Sequence, residues 1–493
     1  MKYFERVTPE SVGIASNGIL EFLEGVRRKG IELHSFMVLR HDKCAAAGWW
    51  KPYGPEFLHP LYSFSKTFTA TAIGFARQEG ILSLDEKLVD LFPEQCPENP
   101  SENLKKVTLH HVLCMGCGHE TEMMDRTENW ISLFLNHPVL HEPGTFYKYN
   151  TPGTNMLAAV IKKKTGLNVT EYLRPRLLEP LGITDLVCEK LPDGVELGGG
   201  AMKLQTEGMA KFATFLLHKG CWEGKQLLEE SWFDLAVVKQ IETAGDSEGH
   251  IKDWAHGYGY QCWMCVLPGS YRADGAYGQF GFVFPSIDTI VVTTTSTEQT
   301  QTLVDILNEK LLPAIGEEVL PESFDAKILE HVIENLEITP LLGDRNPDLE
   351  KRLAGKVFAA EEEKKCSGLQ HLVGGAGYFE FDMDKNIEKM SFSFQEDMII
   401  WHVWENGKEK CVSLPLDGRF EYSKCDETLY AATARYRQLN SIEMEIRRVD
   451  AISGVRMIFD FTEKGLSFRA EDTLISVGGL GIVNRNVCSF VIE

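Results

Sequence analysis

The chain reads as an α+β protein that ends in an antiparallel β domain, and three patterns predict this. An amphipathic helix near the N-terminus leads into a strand-like run. A glycine-rich hairpin lies near residue 280. Past residue 354, short segments alternate apolar and charged residues. The 493 residues exceed one ordinary domain and can bury a large core.

The first helix has Ile19, Phe22, Leu23 and Val26 at i, i+3, i+4, i+7 spacing, with Asn17 placed to cap it. Ser35 to Arg40 follows as a strand that turns at His41-Asp42-Lys43. Next comes Tyr62-Ser63-Phe64-Ser65-Lys66, which sets a serine one helical turn before a lysine at the head of an apolar helix. Positions i and i+3 share a helix face, so the Lys66 amine can reach Ser63 Oγ. A serine hydroxyl needs such a neighbour to take its proton, and the amine serves only if its pKa is pulled towards neutrality. About one or two such spacings arise by chance in a chain of this length. A capping serine with a solvated lysine is the plain alternative.

Order and spacing downstream carry the reading further. Pro143-Gly144 turns into Phe146-Tyr147-Lys148-Tyr149-Asn150-Thr151. A helix follows, with Met156, Leu157, Val160 and Ile161 on one face and Gly166 at its C-cap. A tyrosine held here could share a proton with Ser63 and Lys66. Tyr271 to Gly281 and Phe282-Val283-Phe284 run into a turn at Pro285 and Asp288 before Ile290-Val291-Val292, a β-hairpin whose glycines allow close approach of a ligand backbone.

These blocks, from about Pro9 to Ile315, resemble the class C β-lactamase-like serine hydrolases. That family includes esterases, D-amino-acid peptidases and amidases, and oligoamide hydrolases. The Ser-x-x-Lys block belongs to its penicillin-recognising relatives. The resemblance extends to Gly48-Trp49-Trp50-Lys51-Pro52-Tyr53, to Glu79 through Asp85, and to His110 through Gly118. It implies a catalytic domain with an antiparallel sheet, flanking helices and an inserted helical region.

Carried over residue by residue, the resemblance makes Ser63 the acylated nucleophile and Lys66 its partner. Tyr149 matches the tyrosine of a Tyr-x-Asn element, the general base, with Thr151 where the family has asparagine against the substrate acyl chain. A second register makes Tyr147 the base; the distance from Gly144 favours Tyr149. The third element, Lys-Thr-Gly or His-x-Gly in relatives, is read as Gln279-Phe280-Gly281. The backbone N–H groups of Ser63 and Phe282 would then form the oxyanion hole. Thr151, Gln279, Gly281 and Arg272 are the expected substrate contacts. Glutamine in place of a lysine removes a fixed cation, so a penicillin carboxylate is expected to bind weakly unless Arg272 turns in. Otherwise Arg272 is a structural partner of Asp274.

Composition agrees. Hydrophobic residues make up 43% and charged residues 25%, and the net charge of −22 argues against nucleic acid or anionic membrane as partners. The fourteen histidines show no His-Glu-x-x-His spacing, and the two Cys-x-x-Cys pairs, Cys114/Cys117 and Cys262/Cys265, are read as structural thiols, so neither metal nor cofactor is expected. His110-His111, His34 and His41 are read as loop or surface residues. The start has no apolar core of signal-peptide length, and no run of some 18 apolar residues occurs. A cytoplasmic location follows as an expectation, with the twelve cysteines as reduced thiols. Cys114 and Cys117 are read as structural rather than reactive.

The expected domains are a catalytic one over 1–318, a connector with helical pieces over 319–353, and a C-terminal β domain over 354–493, barrel-like in one reading. Its strands are marked by Ile442, Met444 and Ile446, by Val455 to Phe461, by Phe379-Glu380-Phe381 and by Met398 to Trp404, with turns at Gly454 and Lys464-Gly465. The expected activity is hydrolysis of esters or amides of small molecules or peptides. An acyltransferase or D-aminopeptidase using the same acyl-enzyme stays open, as does a binding or assembly protein without catalysis. Acyl group, leaving group and oligomeric state are not legible.

Overall fold

The N-terminal helix begins two residues earlier than its sequence cap implies. In the computed structural model, α1 spans Ser16–Arg28, so Asn17 sits inside the first turn. The buried Glu10 carboxylate caps it instead, accepting from Ser16 N–H at 3.2 Å and Ser16 Oγ at 3.0 Å. An acid at a helix N-terminus satisfies orphan donors and suits the helix dipole. The structure describes residues 4–123, 127–244, 252–360, 366–373, 386–474 and 485–492. The chain divides into two compact units. One comprises Met1–Gly48, Pro60–Thr295 and Gln299–Glu334, and the other Trp49–His59, Ser296–Glu298 and Asn335–Glu493.

The first unit is built on a seven-stranded sheet. Its strands are β1 (Glu5–Arg6), β2 (Glu32–Arg40), β3 (Lys43–Trp49), β4 (Trp263–Met264), β5 (Tyr271–Gly275), β6 (Gln279–Phe284) and β7 (Thr289–Ser296), in the order β1-β3-β2-β7-β6-β5-β4. The β2–β3 turn uses His41 and Asp42, both at positive φ, as a two-residue hairpin turn requires. Strands β6 and β7 are buried along their whole length, which is why they read as unbroken apolar and threonine runs. His34 on β2 is also fully buried, contrary to its reading as a surface residue. His110 and His111 lie on a short helix, Leu109–Leu113.

Helix α2 (Ser65–Gln78) runs through the interior, with every residue from Ser65 to Ala76 buried. Its Phe68 ring stacks on Phe212 at 3.8 Å, on helix α4 (Thr206–Leu217), which packs against β2 and β6. Burying an aromatic side chain of this size stabilises by about 1.5–3 kcal/mol. Helix α3 (Thr151–Thr165) lies against α2 and ends at Gly166 in the left-handed conformation, as the sequence suggested. Gln261 ties these pieces together. Its amide accepts from Thr154 Oγ1 at 2.6 Å and donates to the Val112 and Leu113 carbonyls, and its own carbonyl accepts from Thr67 Oγ1.

The second unit is an eleven-stranded, antiparallel sheet. Its strands are β8 (Val357–Ala360), β9 (Cys366–Ser367), β10 (Asn386–Gln395), β11 (Met398–Glu405), β12 (Lys408–Pro415), β13 (Glu421–Cys425), β14 (Thr428–Gln438), β15 (Ser441–Arg448), β16 (Gly454–Phe461), β17 (Gly465–Asp472) and β18 (Arg485–Ile492). The path runs β12-β11-β10-β8-β18-β17-β16-β15-β14-β13, with β9 paired to β10. The two ends approach, Ser413 N–H on β12 donating to Ser423 Oγ on β13 at 2.9 Å, so the sheet nearly closes. Alternate residues such as Trp401, Met444 and Phe459 fill its core. Phe379-Glu380-Phe381 lies outside the described residues. The segment Trp49–His59 belongs to this unit, Lys51 exchanging backbone hydrogen bonds with Leu336 and Ile338.

Candidate active site

Ser63 sits in a single 3-10 turn, Tyr62–Phe64, directly ahead of α2. Tyr62 before it holds φ at +48°, a left-handed backbone that costs a bulky residue energy and gathers at functional sites. Ser63 itself is half-exposed, while Ser65 is fully buried and accepts from Met202 N–H. Of the two serines beside Lys66, only Ser63 can meet a ligand.

Lys66 Nζ lies 3.0 Å from Ser63 Oγ, 3.2 Å from Thr151 Oγ1 and 2.5 Å from the Gly199 carbonyl. The side chain is 1% exposed. Burial disfavours the ammonium and pulls the amine from 10.5 down to about 7, against the opposing pull of Glu122 and Asp274. A substantial fraction is therefore neutral amine at physiological pH, able to accept a proton.

Tyr149 places its ring face over this amine, the centroid 4.9 Å from Nζ. The ring is held parallel to Trp263 at 6.0 Å and edge-on to Tyr258 at 6.3 Å. Its backbone is set by the next residue. Asn150 caps α3 by accepting from Gly153 N–H at 2.9 Å, and its amide nitrogen meets His119 Nδ1 at 3.0 Å. Burial lowers the His119 pKa to about 4, so that ring is neutral and can accept. Tyr147 is buried against Tyr258 and Trp263 instead.

Several expected substrate contacts do not face Ser63. Gln279 is fully buried, and its amide clamps the backbone of Thr295, donating to the carbonyl at 2.7 Å and accepting from the N–H at 3.1 Å. Arg272 is likewise fully buried, paired with Asp274 at 2.8 Å and stacked over Trp254. Gly281 lies beneath the Phe64 ring, where a Cβ would stand 2.6 Å from Cε2. Phe282 sits on β6 between Arg272 of β5 and Val291 of β7, so its backbone belongs to the ladders and is not a second oxyanion donor. Thr151 does reach the site, but as a partner of Lys66 rather than as a distant acyl contact.

The strand end that does meet the nucleophile turn is Gly275 on β5. A Cβ there would stand 2.2 Å from the Leu61 carbonyl oxygen, so only glycine permits this approach. Strand β4 pairs with β5 only at Tyr271 and Arg272, leaving the edge from Ala273 to Gly275 without a β4 partner. Ala276 beyond it is exposed, and Tyr277 brings its ring edge-on to Tyr62 at 5.3 Å. Sequence reasoning also missed Gly199. The run Gly198-Gly199-Gly200 was its signal, since a Cβ at Gly199 would stand 2.9 Å from Thr151 Cγ2. Glu122 left no local signal; its carboxylate accepts from Thr151 N–H at 2.5 Å, at the N-terminus of α3.

Cys114 and Cys117, near the Tyr149 segment, are buried, and burial raises both thiols, Cys114 to about 12. Such thiols are poor nucleophiles at neutral pH.

A family model described as Beta-lactamase matches residues 22–313, more than half of the chain. The chain belongs to the beta-lactamase family. A 6-aminohexanoate-dimer hydrolase of Paenarthrobacter ureafaciens is 21% identical over 278 residues, covering 52% of this chain and 71% of that protein. A D-aminopeptidase of Brucella anthropi is 30% identical over 149 residues, 29% of this chain and 28% of that one, so that match is local. A solved structure from Bacillus anthracis, also named for a 6-aminohexanoate-dimer hydrolase, has a TM-score of 0.50 at 19% identity. It covers 65% of this chain and 89% of its own, and shows a shared fold. With hydrolases among its relatives, this beta-lactamase-family chain is a serine hydrolase. Among the described residues, no helix is long and apolar enough to cross a membrane.

Proposed function

We propose that the chain cleaves esters or amides of small molecules or peptides through an acyl-enzyme on Ser63. The observation that carries this is the buried Lys66 amine, 3.0 Å from Ser63 Oγ and close to half-neutral at pH 7. Lys66 takes the serine proton as Oγ attacks the carbonyl carbon, and Thr151 Oγ1 and the Gly199 carbonyl hold the amine in place. Tyr149 lies against the same amine and relays the proton to the leaving group, then from the incoming water. The oxyanion is assigned to backbone N–H groups of Ser63 and of the Gly275–Ala276 strand end, which packs on the nucleophile turn.

Among the described residues, Glu122 and Asp274 are the charges that act on Lys66. Their negative field disfavours a substrate carboxylate beside the serine, which supports neutral or amine-bearing acyl groups. Two relatives are a 6-aminohexanoate-dimer hydrolase and a D-aminopeptidase, which supports amides among the substrates. All twelve cysteines are free thiols, which supports a cytoplasmic location.

Intact-mass measurement after exposure to chromogenic esters, amides and β-lactams tests the proposal. Wild type gains the acyl mass on the peptide containing Ser63, and Ser63→Ala gains none while keeping its fold. Added amine or alcohol acceptors then distinguish transfer from hydrolysis. An adduct on another serine, or full turnover by Ser63→Ala, overturns the assignment.

A further inference from the structure

The nearly closed sheet of the second unit carries a side-chain cluster that acyl transfer does not use. Strands β11 and β12 are joined by Asn406-Gly407, both at positive φ, a tight turn that fixes their register. That register sets His402 directly opposite Cys411, with Glu409 two residues away on the same face of β12. His402 Nδ1 lies 2.7 Å from Glu409 Oε1 and 3.4 Å from Cys411 Sγ, and the thiol is 3.8 Å from the same carboxylate oxygen. On its other side, His402 Nε2 meets Ser393 Oγ of β10 at 2.8 Å. His402 is half-buried, and Glu409 and Cys411 are exposed.

This is not the layout of a thiol nucleophile with its base. A base relays protons with nucleophile and acid on opposite ring nitrogens, whereas here thiol and carboxylate share Nδ1. Three donors converging on one point, with the second imidazole nitrogen held by an outer partner, is the layout of a metal site. Around tetrahedral zinc, with bonds of about 2.0–2.3 Å, such donors stand about 3.3–3.6 Å apart. The two sulfur separations already match to within about 0.3 Å, and the nitrogen–oxygen pair opens by about 0.6 Å to admit the ion.

We propose that His402, Glu409 and Cys411 bind one divalent cation of the zinc class, with solvent as the fourth ligand. Thiolate and imidazole select a borderline-soft ion over magnesium or calcium. On binding, the Cys411 thiol releases its proton to solvent. The neutral imidazole carries its proton on Nε2, donating to Ser393 Oγ, which leaves the Nδ1 lone pair for the metal. Thiolate and carboxylate together balance the 2+ charge. The cluster escapes sequence inspection because its ligands straddle a hairpin turn and the imidazole comes from the facing strand.

The test titrates the chelator-treated full chain with Co(II), then Zn(II). One equivalent of Co(II) is expected to give a near-ultraviolet sulfur-to-cobalt band that Zn(II) abolishes. Cys411→Ser should remove the band and weaken Zn(II) binding at least tenfold, Glu409→Gln should weaken it similarly, and Ser393→Ala should weaken it about tenfold. All three lie on the second unit's sheet, none is among the residues assigned to the Ser63 site, and they should leave ester hydrolysis unchanged. Absence of stoichiometric binding, or a band that survives in Cys411→Ser, overturns the proposal.

Discussion

Tyr62 and Tyr277 meet edge-on with ring centroids 5.3 Å apart, and both hold left-handed backbones, at φ +48° and +64°. Each such bulky residue stores about 1–3 kcal/mol of strain. One precedes Ser63 and the other follows the Gly275 strand end, so the pair braces the two backbone segments assigned to the oxyanion. Tyr277→Gly relieves one strain while losing the ring contact. Its Tm should shift little, and kcat/KM should fall about tenfold or more. A normal kcat/KM in a folded variant removes the bracing role.

The Lys66 amine, lowered by burial to about 7, predicts the pH profile. The rate constant kcat/KM should rise with pH through about 7 and level off above it, because only the neutral amine accepts the serine proton. Stability follows the same group. Between about 7 and 10.5 the unfolded chain holds the lysine proton and the folded one does not, so stability rises with pH across that window. Lys66→Met should be inactive and should lack this component of the pH dependence in urea melts.

Tyr149 lies on the Lys66 amine, and Tyr147 lies behind it among aromatic rings. Tyr149→Phe keeps the ring packing and removes the hydroxyl, so kcat should drop on the order of 10²-fold. Tyr147→Phe should change kcat less than about threefold. Steady-state kinetics on one ester decides, and the opposite ranking transfers the base role to Tyr147.

Gln279→Lys, which from sequence would create a carboxylate contact, should do the reverse. The side chain is fully buried and bonded to Thr295 through both amide atoms. A lysine leaves the Thr295 N–H unsatisfied and buries a charge, costing about 3 kcal/mol or more. Denaturant melts should show that loss without any gain in affinity for carboxylate-bearing substrates.

Much of the site was legible because it is local. The i, i+3 spacing of Ser63 and Lys66, the Pro143-Gly144 turn ahead of Tyr149, and the Gly166 terminus of α3 are short-range features, written in consecutive residues. The misreading came at the third element, where Gln279-Phe280-Gly281 and Ala273-Asp274-Gly275 both offer a glycine on a strand. Only pairing distinguishes them, since β6 is interior and β5 has the edge that meets Leu61.

Taken alone, the sequence determined the α+β class and the C-terminal sheet, because periodicity and turns are encoded over a few residues, while the family resemblance pointed to Ser63, Lys66 and Tyr149, which the fold brings side by side. Tertiary structure alone decided that Gln279 and Arg272 face inward, that Gly199 and Glu122 reach the Lys66 neighbourhood, and that His402 meets Cys411. Burial and strand order depend on groups far apart in the chain, and those same long-range contacts set the dielectric around the Lys66 amine. A pKa near 7 is therefore a property of the fold rather than of the motif.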